Sequence, residues 1–164
     1  MQEQKQVFIG LGANIGNKKE NLDLALQLLR QRVGPLLAVS SIYETDPWGK
    51  AEQPSFFNQV ARLSTVMDPF KTMEALLDIE KTMGRKRREK WKERIIDLDL
   101  LFYDQYIIRT ALLTLPHPFL HLRNFVLVPL AEIAPDFWHP ELRKTSAELL
   151  AASPDKLEFK IIGF

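Results

Sequence analysis

Apolar residues recur with two different periods along the chain, and the order of these periods limits the folds that it can adopt. Four segments are typical of β-strands, at residues 6–11, 36–43, 56–66 and 95–103. Two segments repeat apolar residues at helical spacing, at residues 17–33 and 68–83. The order strand, helix, strand, strand, helix, strand predicts an α+β, ferredoxin-like βαββαβ core, with an antiparallel sheet and helices packed on it. From residue 115 onward we expect C-terminal additions of helical and short extended pieces.

The ends of both predicted helices carry residues that favour starting or stopping a helix. Asn17 is a candidate N-cap of the first helix, which should stop at Gly34. Asp68 followed by Pro69 is a cap with proline at the first helical position, and Gly84 follows the last apolar repeat. These signals fix the limits of the two helices.

Composition narrows the class of protein. The chain has 164 residues, enough for one domain with a real core, and we expect a single domain over residues 1–164. It has no Cys, which excludes a disulfide framework and a thiolate nucleophile. The polar start and the lack of a long apolar stretch predict a cytoplasmic protein without a membrane partner. The formal charge of +1 argues against a general nucleic-acid coat.

The small net charge hides a local imbalance. Residues 85–94 contain seven basic and two acidic side chains, so this segment carries +5 and the remaining chain carries −4. Such a run is often only a solvated surface loop. Trp91 lies within it, however, and an aromatic ring among cations favours stacking on a base or on an arginine plane. We therefore expect Arg85, Arg87 and Arg94 to bind a phosphate-bearing ligand.

Asp97 and Asp99 alternate with leucines on the last predicted strand. Side chains on a strand alternate between faces, so the two carboxylates share a face and stand roughly 7 Å apart. Carboxylate oxygens suit Mg²⁺, which shares its remaining positions with water and substrate phosphates. The alternative is a plain polar face on an edge strand. Together with the basic segment, the pair points to nucleotide chemistry.

Known nucleotide-binding motifs are absent. The glycines at positions 10, 12 and 16 have the spacing GxGxxxG instead of GxGxxG, which excludes a Rossmann fingerprint and leaves a turn over residues 12–16. The Walker pattern does not occur either, nor does a hydrolase GxSxG elbow.

Two further groups could bind a ligand. Phe56 and Asn58 are two residues apart on a strand, so they offer a ring and an amide on one face, which suits a flat heterocycle. A core phenylalanine beside a turn-facing asparagine is equally compatible with this spacing. His117 lies between two prolines, which fix its backbone.

As a set, these motifs resemble the 6-hydroxymethyl-7,8-dihydropterin pyrophosphokinase family. Six blocks occur in the family's order: IGLGANIGN at 9–17, SSIYETDPWG at 40–49, QPSFFNQV at 53–60, IEKTMGRKR at 79–87, RIIDLDLLFYD at 94–104 and LPHPFLHLRNFVLVPLAEIAPD at 115–136. The resemblance covers nearly the whole chain, and the last two blocks are the most specific.

The resemblance implies an ATP-dependent diphosphotransferase of folate biosynthesis, which moves a pyrophosphoryl group from ATP to the pterin hydroxymethyl oxygen and releases AMP. It implies two Mg²⁺ ions held by Asp97 and Asp99, and phosphate contacts from Arg85 and Arg87. The implied ATP-binding residues are Glu80, Trp91, Arg94, Leu100, Thr114, His117 and Arg123. The implied pterin-binding residues are Thr45, Asp46, Trp48, Phe56, Asn58 and Phe125, with the two phenylalanines on either side of the ring.

Two other functions share this predicted fold. RNA-recognition modules have the same strand and helix order, but an acidic pair on a strand would repel a phosphate backbone, and the characteristic RNA-binding motif is absent. The other alternative is a regulatory domain that binds a small ligand without turnover. The enzyme hypothesis predicts a monomer with ATP and the pterin as its small-molecule partners and no nucleic acid.

Overall fold

The computed structural model describes residues 3–46, 54–84, 95–156 and 158–163. The core elements follow the predicted order: β1 (Lys5–Ala13), α1 (Lys18–Arg32), β2 (Leu36–Val39), β3 (Ile42–Thr45), β4 (Phe56–Thr65), α2 (Pro69–Thr82) and β5 (Asp97–Tyr103). The C-terminal part adds β6 (Ile108–Arg109), β7 (Thr114–Leu115), a 3₁₀ turn (Leu120–Leu122), α3 (Asn124–Ile133), β8 (Trp138–His139), β9 (Lys144–Thr145), α4 (Ser146–Ala151) and β10 (Phe159–Gly163).

The main sheet is antiparallel and runs in the order β10, β3, β4, β1, β5, with β2 also paired to β4. This arrangement confirms the predicted α+β ferredoxin-like core. The strand β10, which extends the sheet beside β3, was not predicted. Among the residues that the structure describes, none of the helices has the length and apolar character that crossing a bilayer requires.

The predicted helix ends are confirmed. The side chain of Asn17 accepts a hydrogen bond from the backbone N–H of Glu20 at 3.1 Å, and the Asp68 side chain accepts one from the N–H of Lys71 at 2.9 Å. Gly84, after the end of α2, has a φ of +93°, a conformation that glycine adopts without strain.

Two predicted strand limits were wrong. The glycine turn begins later than residue 12, because Gly12 pairs with strands on both sides and β1 continues to Ala13. The segment 36–43 is not one strand but two, with a break at Ser40 and Ser41. There the Oγ of Ser40 accepts the backbone N–H of Val60 at 2.9 Å, so a side chain replaces a backbone partner in the ladder.

The sheet has a separate core on each face. Helices α1 and α2 cover one face, where Ile9, Leu63 and Leu98 are buried. On the opposite face α3 packs against β3 and β4, and Phe8 and Val60 are buried. Each face therefore has its own apolar support.

A bulge in β5 divides this strand between the two cores. Phe8 pairs with Phe102 but Ile9 pairs with Leu100, so Leu101 is an extra residue. Leu101 and Phe102 consequently both enter the core beneath α3, whereas Leu100 belongs to the core beneath α1 and α2. Because the bulge resets the alternation, Asp97 and Asp99 lie on the same face as α3.

Candidate active site

The two aspartates of β5 lie beside two glycines of β1, Gly10 and Gly12, which we call the glycine floor of the site. Gly12 pairs with Asp97 and Gly10 pairs with Asp99, and paired residues project to the same face. A Cβ at Gly12 would lie 3.5 Å from the side-chain oxygen of Asn58. The strand β1 thus adds no side chain between the half-buried carboxylates and the polar residues of β4, and the Leu101 side chain lies next to Gly10.

Asn58 is on the far side of this floor and is held by β3. Its Nδ2 donates to the hydroxyl oxygen of Thr45 at 2.8 Å and to the backbone oxygen of Tyr43 at 3.4 Å. Because both bonds use the NH₂ group, the side-chain oxygen next to Gly12 is free to accept a bond from a ligand. The structure therefore gives this buried amide a defined orientation.

The two phenylalanines predicted to stack on a ring come from different elements. Phe56 begins β4, pairs with Thr45 and is half-buried, and a Cβ at Gly12 would lie 3.9 Å from its ring. Phe125 is in the first turn of α3 and packs against the core on that face. Both rings thus belong to the same face of the sheet as Asn58.

His117 and Arg123 approach the same face from the segment between β7 and α3. The backbone N–H of His117 donates to the carbonyl of Leu101 at 2.9 Å, which places it beside β5. The guanidinium carbon of Arg123 lies 5.4 Å from the ring centre of Phe119 and 5.7 Å from that of Phe125. These contacts place His117 beside β5 and Arg123 beside Phe125.

His117 is a neutral imidazole in this setting. Burial, and after it the positive charge of Arg123, lower the pKa of His117 to about 4, while Asp97 acts in the opposite direction. The Nδ1 atom of His117 accepts the backbone N–H of Phe119 at 3.3 Å, which favours the tautomer with the proton on Nε2. The ring can therefore donate one hydrogen bond to an anionic ligand.

Three other residues predicted to bind the nucleotide lie on different elements and differ in what they can contact. Glu80 is only 3% exposed, and its carboxylate accepts the backbone N–H of Leu98 at 2.8 Å, so it supports β5 from α2. The side chain of Leu100 lies in the opposite core, which leaves its backbone as the part able to meet a ligand. Thr114 is half-buried in β7, shortly before His117.

Several predicted residues lie outside the described part of the chain. These are Trp48, Arg85, Arg87, Trp91 and Arg94. Asp46 is described and exposed, immediately after β3.

The acidic pair fits a magnesium site that substrate would complete. Within the described ranges, no cluster of three or more histidine or acidic side chains could enclose a metal by itself. Asp97 and Asp99 provide hard carboxylate oxygens on one partly exposed face, and Mg²⁺ commonly takes one or two carboxylates together with phosphate oxygens. The donor chemistry of this pair is thus the right one for Mg²⁺.

Sequence reasoning missed a carboxylate that bridges two elements of the site. Glu132 of α3 accepts hydrogen bonds from Ser41 and Tyr43 at the start of β3. The signal was available, since Glu132 is the one charged residue in the apolar helix α3. Its partner could not be read from the sequence.

Comparison with solved structures supports the fold. The chain is similar to the wild-type HPPK-DHPS protein of Plasmodium falciparum, with a TM-score of 0.77 and 18% identity. The match covers 92% of this chain and 44% of the other, so this chain spans less than half of that longer protein. At this identity the likeness establishes the ferredoxin-like fold alone.

Curated relatives are closer in sequence. The 2-amino-4-hydroxy-6-hydroxymethyldihydropteridine pyrophosphokinase of Aquifex aeolicus is 39% identical over 142 residues, which are 87% of this chain and 88% of that protein. The protein of the same name from Bacillus subtilis is 42% identical, over 86% of this chain and 83% of its own. Fold and relatives together define an enzyme of the diphosphotransferase class.

The family model for 7,8-dihydro-6-hydroxymethylpterin-pyrophosphokinase matches residues 8–135. The chain belongs to this family, whose members transfer a pyrophosphoryl group in folate biosynthesis.

Proposed function

We propose that this enzyme transfers the pyrophosphoryl group of ATP to the hydroxymethyl oxygen of 6-hydroxymethyl-7,8-dihydropterin, giving the pterin diphosphate and AMP. One observation carries the proposal: a carboxylate pair and an amide with an adjacent ring share a sheet face, separated only by the glycines of β1. A flat heterocycle bound over Gly12 would have the carboxylates on one side and the amide of Asn58 on the other.

The pterin would lie between Phe56 and Phe125, whose rings supply stacking surfaces. Asn58 would accept a hydrogen bond from the pterin edge through its side-chain oxygen, because its NH₂ group is already bonded within the protein. The segment from Thr45 through Asp46 to Trp48 would read the rest of that edge. Stacking gives affinity, and the fixed amide gives specificity.

The phosphates of ATP would lie over β5. Asp97 and Asp99 would hold two Mg²⁺ ions, which neutralise the charge on the transferring phosphates. His117 would donate from Nε2 to a phosphate oxygen, and Arg123 would contribute a full positive charge with several donors. These residues orient the phosphates toward the pterin side of the floor.

The remaining proposed residues complete the nucleotide site. Arg85 and Arg87 would contact the phosphates, and Trp91 and Arg94 would cover the nucleotide. Glu80, Leu100 and Thr114 would line its pocket, with Glu80 acting from beneath β5.

The reaction forms a bond between the hydroxymethyl oxygen and the β-phosphorus of ATP. The bond from that phosphorus to the oxygen bridging it to the α-phosphate breaks, and this oxygen leaves with AMP. The hydroxyl proton passes to solvent. Because little covalent chemistry falls to the protein, its contribution is alignment and charge stabilisation.

The test is product analysis after incubating the enzyme with ATP, Mg²⁺ and the pterin. We expect AMP and pterin diphosphate in equal amounts, and neither when the pterin is omitted. Formation of ADP or inorganic phosphate without AMP would show a different reaction.

A further inference from the structure

Helix α3 carries one charged side chain, Glu132, and it points back to the sheet. Its carboxylate accepts the backbone N–H of Ser41 at 3.0 and 3.1 Å and the Ser41 hydroxyl at 3.1 Å. It also accepts the phenolic hydroxyl of Tyr43 at 2.5 Å. One carboxylate thus receives three donors from β3 and the break that precedes it.

The hydroxyl of Tyr43 stays protonated while it is bonded to Glu132. Tyr43 is a buried residue, with 5% of its surface exposed. Burial first, and then the hydrogen bond to Glu132, raise the pKa of Tyr43 to about 12. The phenol therefore remains a donor over the whole range in which enzymes are assayed.

The two elements that Glu132 connects carry opposite sides of the proposed pterin site. On β3, the hydroxyl of Thr45 and the carbonyl of Tyr43 hold the amide of Asn58. On α3, Phe125 lies in the first turn. The distance between the Asn58 amide and the Phe125 ring consequently depends on how α3 packs against β3.

We infer that Glu132 is a positioning residue for the pterin: through Ser41 and Tyr43 it fixes the spacing between the β3–β4 side of the site and the α3 side. The inference rests on the proposed function, because it concerns the substrate that lies between these two sides. Glu132 acts through its neighbours and does not need to touch the substrate.

The effect should be selective for one substrate. Asp97 and Asp99 are on β5, which is separated from β3 by β4 and β1. Arg123, which is proposed to bind ATP, directly precedes α3 but is also held beside Phe119, outside the helix. A change in the packing of α3 on β3 therefore alters the pterin side first. Glu132 as a residue is also exposed, so its loss leaves no buried cavity.

The test compares Glu132→Gln, Tyr43→Phe and the double variant. Glutamine keeps the shape of the side chain but removes the charge and one of the two acceptor oxygens. We expect the KM for the pterin to rise about tenfold in Glu132→Gln and about threefold in Tyr43→Phe, the range for losing hydrogen bonds to a charged group. The double variant should resemble Glu132→Gln, because both changes remove the same contact.

The selectivity readout is the KM for ATP, which should stay within about twofold of the parent. Glu148→Gln is the matched control. Glu148 accepts the backbone N–H of Thr145 and so caps the first turn of α4, and it makes no contact with β3 among those that the structure describes. This control should lower the melting temperature slightly and leave the KM for the pterin unchanged.

The outcomes separate the two claims. If the parent does not bind 6-hydroxymethyl-7,8-dihydropterin in calorimetry, the proposed function fails. If the parent binds it and both Glu132→Gln and Tyr43→Phe bind it equally well, the positioning role fails while the function stands. A parallel rise in both KM values with a lower melting temperature would show a merely structural role and also overturn the inference.

Discussion

The carboxylate of Glu80 accepts the backbone N–H of Leu98 at 2.8 Å, and Leu98 is the residue between Asp97 and Asp99. Because β5 is the last strand in the order of the main sheet, Glu80 takes the place of a strand neighbour. The acidic pair is therefore held in register by β1 on one side and by a helix carboxylate on the other.

Replacing Glu80 should loosen the strand that carries the aspartates. Glu80→Ala leaves the Leu98 N–H buried without this acceptor, which should cost about 1–3 kcal/mol in the free energy of unfolding and reduce activity. Glu80→Gln retains an acceptor oxygen and should therefore lose less stability and less activity than Glu80→Ala. Urea unfolding and steady-state kinetics measure these effects, with Glu74→Ala on the exposed side of α2 as the control. A Glu80→Ala variant as stable as this control would contradict the prediction.

Removing either proposed metal ligand should abolish turnover without unfolding the protein. Asp97→Asn and Asp99→Asn keep the size of a partly exposed side chain, so the melting temperature should change little. Activity should fall by about three orders of magnitude or more, since metal-based charge stabilisation contributes several kcal/mol. Titration with Mg²⁺ in the presence of ATP should show weaker metal binding. Normal turnover in either variant would refute the metal-ligand assignment.

Gly12→Ala tests whether the glycine floor is needed for the substrate. The new methyl group would make only ordinary contacts, at 3.5 Å from Asn58 and 3.9 Å from Phe56, so the fold should persist. The KM for the pterin should rise several-fold because the methyl group occupies the proposed site, whereas the melting temperature should stay near that of the parent. An unchanged KM would place the pterin elsewhere.

Gly34→Ala provides the contrasting case. A Cβ at this position would lie 1.8 Å from the carbonyl oxygen of Ser64, which is backbone and cannot rotate away. We expect a loss of several kcal/mol in stability, because the turn after α1 would have to move away from β4. Chemical denaturation of Gly34→Ala beside Gly12→Ala should show a large effect in the first and a small one in the second. Equal stabilities of the two variants would mean that Gly34 does not lie close to the backbone of Ser64.

Acid should destabilise the protein through its buried histidines. Burial lowers the pKa of His139 to about 4, and its Nδ1 accepts the backbone N–H groups of Glu141 and Leu142. The unfolded chain, with a histidine pKa near 6.5, binds more protons than the folded one between these two values. Stability should therefore be full above pH 6.5 and fall as the pH decreases toward 4.

The variant His139→Asn isolates the contribution of this ring. Asparagine offers an acceptor oxygen near the position of Nδ1 but does not titrate. Its stability should decline less steeply between pH 6.5 and 4 than that of the parent, as followed by thermal unfolding at each pH. Identical slopes would assign the acid sensitivity to other groups, His117 among them.

Local patterns were enough to predict the core helices and strands, whereas the site residues stay predictions. Alternation placed Asp97 and Asp99 together, and the helix caps at Asn17 and Asp68 were correct. These features depend on neighbours within a few residues. The cytoplasmic location, the monomeric state and the single-domain organisation stay predictions.

Long-range pairings could not be predicted in the same way. The facing of Gly12 and Asp97 depends on strand register, which the tertiary fold sets. The contact between Ser41 and Glu132 joins residues 91 positions apart in the chain. Likewise, nothing local indicates that residues 159–163 would extend the sheet beside β3.

The single extra residue at Leu101 makes β5 sensitive to length as well as to sequence. If the strand paired with β1 without this bulge, every residue before Leu101 would move to the opposite face of the sheet. Carboxylates would then turn toward the apolar core beneath α1 and α2, while leucines would turn outward. Over evolutionary time this strand can exchange side chains of similar size, but insertions in it, and deletions outside the bulge, should be eliminated by selection.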